Sequence, residues 1–423
     1  MFSTVKKAFQ IDEIRKRILI VLFLIFAYRI VAHIPLPSID RAALEQLFAS
    51  SQLLGLVDLF SGGSLSRLSV GAVGLSPYIT ASIFMQVLVF VIPSLEELSK
   101  EGSAGAEKIN RYTKFLTLPF ALLQSVGLYF LFSRQGLFTT TSVLDIVVVV
   151  SVLTAGAFIA MWLGDLITEQ NIGQGISILV LVGILASIPR AASAILVAGK
   201  SGNILNLVLF LFIAALVVAG VVFVNDATRK IPIAYASSRT SGVSAESFLP
   251  LKVNQAGVIP IIFAVSLVLL PSVLGGILQQ VNNSGLQNFA TFLQTNFNPG
   301  SLYYNILYFI LVVLFTFFYT AVTFNPEKVS DDLKQRGGFI PGIRPGRATE
   351  EYLNKVLTRI TLLGALFLGL IAIIPSIASA ITGFTALTIG GTAVLIVVSV
   401  ILETLKKLES QVIMREYDRI VLK

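Results

Sequence analysis

No cysteine occurs in the chain and histidine occurs once, which excludes disulfide frameworks, thiolate nucleophiles and the paired-histidine site of a zinc protease. Charge is scarce too. Asp, Glu, Lys and Arg make up 13% of the residues against 55% hydrophobic ones, and mean hydropathy is +0.86, a balance no soluble domain has. Inside the apolar runs ionisable groups all but vanish. Arg29 alone sits well within one, so the relays, ion sites and voltage sensors that depend on intramembrane charge have little to work with. Its position suits a snorkelling arginine or one bonded to a neighbouring helix. His33, at the end of the same run before Pro35 and Pro37, reads as an interfacial hydrogen-bonding residue.

What is present is a series of apolar runs of membrane-crossing length. They centre on 18–36, 75–92, 115–133, 146–164, 176–196, 204–224, 257–278, 302–324, 356–375 and 383–403, giving an all-α polytopic membrane protein with ten spans. A further run from Leu53 to Phe60 is too short to cross and stops at Ser61-Gly62-Gly63-Ser64. Interrupted backbone at membrane depth is tolerated only where protein or a water-filled cavity surrounds it, so the chain is expected to enclose a pore or site.

The 31 Lys and Arg residues lie mostly on one side. They cluster before span 1, after Lys100, from Arg229 to Lys252, from Lys328 to Arg359 and after Lys406, while the other side has Arg41, Arg67, Arg134, Arg190 and Lys200. By the positive-inside rule both termini are cytoplasmic, and the net charge of +8 forms a layer suited to acidic lipids and acidic or nucleic-acid-rich partners. The basic start precedes a long apolar run with no small-residue cleavage site, so span 1 is read as retained. The Asp165 to Gly175 loop has no Lys or Arg and is placed by alternation alone.

Two cytoplasmic loops exceed what a helix connection needs. Residues 225–255 alternate around Ile231 to Tyr235, which predicts a short strand. Residues 325–354 contain Gly337 to Gly346, whose Gly and Pro density predicts a rigid turned finger displaying Arg344. Turn chemistry of that kind points to a docking surface, because topology requires charge but no such turns.

Helical spacing also reveals a repeated stripe of polar, aliphatic and polar side chains. Ser76, Ile79, Ile83 and Gln86 share one face, as do Gln255, Ile259, Ile262 and Ser266. Thr388, Thr392, Ile396, Ser399 and Glu403 repeat the order, and Ile176 and Val180, between Gln174 and Ser187, give a weaker copy. Such stripes arise from ordinary interhelical packing, or from helices around a pore whose aliphatic collar closes by dewetting.

The segments Leu59 to Arg67, Leu75 to Ile83, Glu101 to Gly105 with Lys108 to Thr113, Pro250 to Pro260, Phe324-Asn325-Pro326 and Gly337 to Gly346 resemble the SecY family, central channel subunits of the Sec translocon, in order along essentially the whole chain. The resemblance implies two inverted five-span halves, 1–200 and 201–423, around an hourglass pore. It implies a pore ring of Ile79, Ile83, Ile176, Val180, Ile262 and Ile396, and a plug within 59–70 that includes Leu59, Phe60, Ser61, Gly62, Gly63, Ser64, Leu65, Ser66 and Arg67. It implies a lateral gate between the spans containing Ile83 and Gln124 on one side, with Ser76, Thr80, Gln86 and Gln124, and the spans containing Ile262 and Phe315 on the other, with Ser266. Arg239, Lys252, Arg344 and Arg347 become docking residues for a SecA-like motor or a ribosome. Small subunits resembling SecE and SecG, signal-bearing polypeptides and a bacterial plasma or thylakoid-type membrane complete the implied setting.

No cofactor or metal is expected. The Ala194 to Ser201 run fits a relaxed phosphate-loop pattern, yet it follows a membrane span with no strand before it and is assigned to chance. Energy must then come from a partner or the membrane potential. A secondary transporter with inverted repeats is the alternative function, disfavoured by an aliphatic ring. An intramembrane protease is disfavoured because Gly164-Asp165 has no second membrane aspartate at a plausible position.

Overall fold

The structure is a computed structural model that describes residues 7–36, 39, 41–50, 54, 58, 61–133, 135–138, 142–200, 204–235, 247–279, 283–298, 301–382 and 386–421. Leu59, Phe60 and Arg239 fall outside these residues. Helices dominate what is described. They are α1 (Asp12–Val31), α2 (Arg41–Ser50), α3 (Ser76–Val91), α4 (Pro93–Lys100), α5 (Ser103–Ser133), α6 (Val143–Glu169), α7 (Gly175–Lys200), α8 (Ile204–Asp226), α9 (Ile259–Val268), α10 (Leu270–Leu278), α11 (Ser284–Asn296), α12 (Leu302–Thr323), α13 (Pro326–Gln335), α14 (Arg347–Thr382) and α15 (Ala386–Val421). Three strands, β1 (Thr228–Tyr235), β2 (Ser247–Lys252) and β3 (Gly338–Phe339), complete the described elements.

Every expected span falls on a helix or a consecutive pair of helices. Among the described residues four helical stretches, Ser103–Ser133, Val143–Glu169, Leu302–Gln335 and Arg347–Ala378, are by themselves long and apolar enough to cross a membrane. One expected span ends in a sharp turn and another is divided. Ile92 precedes Pro93 and takes extended angles, φ −100° and ψ 113°, so α3 and α4 meet at 100°. The run at 257–278 divides at Leu269 into α9 and α10, two residues before Pro271, whose ring cannot continue the hydrogen-bond ladder. The expected half-length helix over 53–60 is described only at Leu54 and Asp58, both helical; from Ser61 to Gly74 the chain runs in tight turns.

The chain forms two compact units, one of residues 1–204 with 400–423, the other of 205–399. In the first, α3 packs on α5, α5 on α6 and α6 on α7. Its core joins Leu36, Leu44, Leu65, Leu68, Val73 and Phe132, among others, so the turned segment is part of the interior. One end of this unit is stitched by polar contacts. Lys114 pairs with Asp165 at 2.7 Å, Arg415 with Glu13, and the Gln411 amide donates to the Asn171 carbonyl. The N-terminal segment, the loop after α6 and α15 therefore meet at one end, and the Asp165 to Gly175 segment, which has no Lys or Arg, sits with the basic segments, as alternation required.

In the second unit α12 packs on α9 and α14. β1 and β2 form an antiparallel hairpin with Ile231 opposite Leu249, and β3 pairs with the far end of β1, placing Ala234 opposite Phe339. The strand expected around Ile231 to Tyr235 is present and begins three residues earlier, at Thr228.

Candidate functional site

The most closely specified part of the molecule is the turned segment after Asp58. The Asp58 carboxylate accepts from the Ser66 amide at 2.8 Å and the Ser61 hydroxyl at 3.2 Å. The Leu65 amide donates to Ser61 Oγ at 3.0 Å, and the Ser64 hydroxyl donates to the Ser61 carbonyl at 2.6 Å. Short side chains here replace the backbone ladder that the turns forfeit. The serines of this stretch are therefore a knot of internal partners rather than a polar surface.

The knot is seated against α1, α6 and α7. Arg29 Nη1 donates to the Gly62 carbonyl at 2.7 Å, a distance typical of charge-assisted bonds. Gly62 has φ +74°, and an added Cβ would lie 3.1 Å from Tyr28 Oη and 3.2 Å from Gly183 Cα, so only glycine fits. From the other side Gly156 lets α6 approach until a Cβ there would stand 1.9 Å from the Val70 carbonyl oxygen. Backbone bonds from Leu36 to Leu68 and from Val70 to Ile34 tie the segment to the chain leaving α1. Leu65 and Leu68 are buried, whereas Arg67 is exposed.

The intramembrane arginine thus has a definite partner, a backbone carbonyl of the turned segment. Sequence reasoning missed the roles of Tyr28, Arg29, Asp58, Gly156 and Gly183. A backbone carbonyl as acceptor leaves no side-chain pattern to find.

Of the residues expected in the gate, Thr80 and Gln124 meet. Gln124 Nε2 lies 3.4 Å from Thr80 Oγ1, linking α5 to α3, while Thr80 also donates to the Ser76 carbonyl at 2.9 Å. Gln86 Nε2 is 3.4 Å from Ser82 Oγ, and its Oε1 is buried without a partner among the described residues. In the other unit Ser266 donates back to the Ile262 carbonyl at 2.9 Å, and α9 meets α12 through an edge-to-face pair of Phe263 and Phe315 at 5.8 Å. Of the six aliphatic residues expected in the ring, Ile79, Val180, Ile262 and Ile396 are buried, Ile83 and Ile176 half-buried. Thr388 and Thr392 belong to α15.

Where α9 begins, three polar side chains join three elements. Asn254 Nδ2 donates to Asn225 Oδ1 at 2.8 Å and to the Gly257 carbonyl at 3.1 Å, and Asn225 Nδ2 donates to Ser399 Oγ at 2.9 Å. The end of α8, the entry to α9 and α15 are held together there.

The two long loops form one body. Ile231, Leu251, Ile340 and Leu353 make a shared core beneath the three strands, with Ile343 and Val356 against it. The finger turns at Gly337, Gly342 and Gly346, all with positive φ. Thr349 Oγ1 donates to the Arg344 carbonyl at 3.0 Å and Ser330 Oγ to the Gly346 carbonyl at 2.9 Å. Arg344 is therefore an exposed cation on a fixed backbone. Lys252 and Arg347 are exposed as well, Arg347 with Glu351 at 3.4 Å.

Comparison with known proteins agrees with this geometry. The family model described as SecY matches residues 69–405. The protein translocase subunit SecY of Streptomyces coelicolor is 43% identical over 440 residues, covering 99% of both chains. That of Mycobacterium tuberculosis strain H37Rv is 41% identical over 443 residues with the same coverage. Among solved structures, a protein-conducting channel superposes with TM-score 0.62 at 17% identity, over 92% of this chain and 90% of that one. Sec61 from the canine ribosome-channel complex gives 0.58 at 18%, with the same coverage. The solute-transporter alternative gains no support from these relatives.

Proposed function

The chain belongs to the SecY family and is a protein-conducting channel subunit of a translocase; from that premise we propose how its parts carry polypeptide across and into the membrane. The seated turn after Asp58, held by Arg29 on the Gly62 carbonyl and by Gly62 and Gly156 at close approach, is the observation that carries the reading. It is the plug in its closed position.

Ile79, Ile83, Ile176, Val180, Ile262 and Ile396 form the constriction. Branched aliphatic side chains exclude water and ions without a charged filter, and they conform to a passing chain because they hold no fixed polar partner. Ser76, Thr80, Gln86 and Gln124 line one side of the gate and Ser266 the other, each bonded within its own side. An arriving signal helix that inserts between the two sides shifts the equilibrium to open, by no more than its differential affinity for the open state. Segments then sort by transfer free energy, since a charged residue at a helix centre costs about 2.5–3.5 kcal/mol on insertion scales.

Arg344, with Lys252, Arg347 and the less specified Arg239, docks the partner that supplies the polypeptide and the energy, a motor ATPase of the SecA kind or a ribosome. Small SecE-like and SecG-like subunits and acidic lipids surround the channel, and both termini face the cytoplasm of a bacterial or thylakoid-type membrane.

The test uses the chain's freedom from cysteine. Single cysteines replacing Ile83 and Ile262 crosslink to a stalled secretory polypeptide, whereas one replacing the lipid-exposed Leu123 does not. An engaged polypeptide that reaches neither position would overturn the ring.

A further inference from the structure

From Val253 to Pro326 the sequence has no Asp, Glu, Lys, Arg or His. Helix α11 lies within this stretch, between α10 and α12, at the end of its unit away from the β1–β2 hairpin. Its 13 residues make a rod about 20 Å long. Three sides of it differ in character. One packs on α10 so closely that a Cβ on Gly275 would stand 2.9 Å from the Ala290 carbonyl oxygen and 3.1 Å from Leu293 Cβ. A second carries Gln287, Asn288, Thr291 and Thr295. The third, with residues spaced by three, presents Leu286, Phe289 and Phe292, exposed by 38%, 52% and 49%.

Exposed aromatic residues in such a row mark a surface that meets something other than water. The chain on either side of α11 says what. Leu270 and Leu274 on α10, and Leu302 and Ile306 on α12, are exposed apolar residues of membrane-spanning segments. The polar groups of α11 are also prepared for the bilayer edge. Thr291 and Thr295 on the polar side, and Asn296 one turn beyond Phe292 on the apolar side, donate to backbone carbonyls one turn back, at 2.8, 2.8 and 2.9 Å, which leaves few donors in need of water.

We propose that α11 lies flat in the outer membrane surface, with Leu286, Phe289 and Phe292 sunk among acyl chains, and that it anchors the outer end of α10. An apolar face of this kind sinks about 5–10 Å below the headgroups. Interfacial helices rich in Lys and Arg select anionic lipid. This one has no charge, so its immersion is independent of headgroup charge and of salt, and zwitterionic lipid suffices.

The inference rests on the membrane reading, and the experiment separates the two. Single cysteines at Phe289, Phe292, Asn288 and Thr295 in the full chain are labelled with a small fluorophore, and the translocon is reconstituted into phosphatidylcholine vesicles. Leu123→Cys on α5 serves as a lipid reference and Glu351→Cys on α14 as a water reference. Brominated acyl chains are expected to quench the Phe289 and Phe292 probes several-fold more than the Asn288 and Thr295 probes, iodide to do the reverse, and neither pattern to change when anionic lipid is added. Iodide reaching all four alike overturns the proposal. So does a Phe289 probe reached by neither quencher, which assigns the face to a protein partner. If the Leu123 probe also escapes bromine, the membrane reading itself fails.

Discussion

A single side chain carries the clearest prediction. Arg29 holds the turned segment proposed as the plug through one charge-assisted bond, and hydrogen bonds to charged groups contribute about 1.5–3 kcal/mol. Arg29→Gln should therefore shift the resting equilibrium toward open by roughly tenfold to a hundredfold, measured as ion conductance in planar bilayers. Arg67→Gln, at an exposed position, should leave conductance at its resting level. Equal leakage from both variants would remove Arg29 from its post. Gly62→Ala should leak as well, since its φ of +74° strains any side chain whatever the space around it. Sequence inspection singled out Gly62, because a glycine pair that ends an apolar run has a local meaning. Arg29 as a latch was not legible, since the acceptor lies 33 residues away and any residue could have supplied its carbonyl.

At the level of elements, hydropathy found the helices, and proline stands at the two breaks, Pro93 and Pro271, although Pro119, Pro189 and Pro375 lie inside continuous helices. Ten apolar runs were readable because lipid imposes one length and one composition on all of them. The division of the 257–278 run at Leu269 was not, since a window averaged over a span is blind to a single residue that cannot continue the ladder; the 100° turn at Pro93 falls just past the end of the run read as 75–92. The strand at 228–235 was foreseen from alternation, but a two-residue β3 has no period to detect. Pairing of the two loops yields a prediction that separates display from contact. Leu251→Ala removes a fully buried member of the shared core, costing about 2–5 kcal/mol, and should weaken motor-driven export although Leu251 touches no partner. Arg344→Glu should weaken export to a similar degree with the fold intact, checked by limited proteolysis. Under proteolysis only the Leu251 variant should be cut faster. Normal export by Arg344→Glu would end the docking role.

For the molecule as a whole, one-sided charge makes a topological statement that the structure renders geometric within the first unit. Glu13 with Arg415, Lys114 with Asp165, and Gln411 with Asn171 join four stretches of chain at one end. A cysteine replacing Lys407 should react with a membrane-impermeant maleimide only from the cytoplasmic side, and one replacing Gln287 only from the opposite side. Labelling of both from one side would invert or dissolve the orientation. The three-stranded sheet has a mechanical consequence. Because β1 follows α8 directly, β2 leads to α9 within a few residues, and the finger pairs through β3 with β1, little slack chain separates the Arg344 tip from the ends of two helices, so that load placed on the tip has a short path to both.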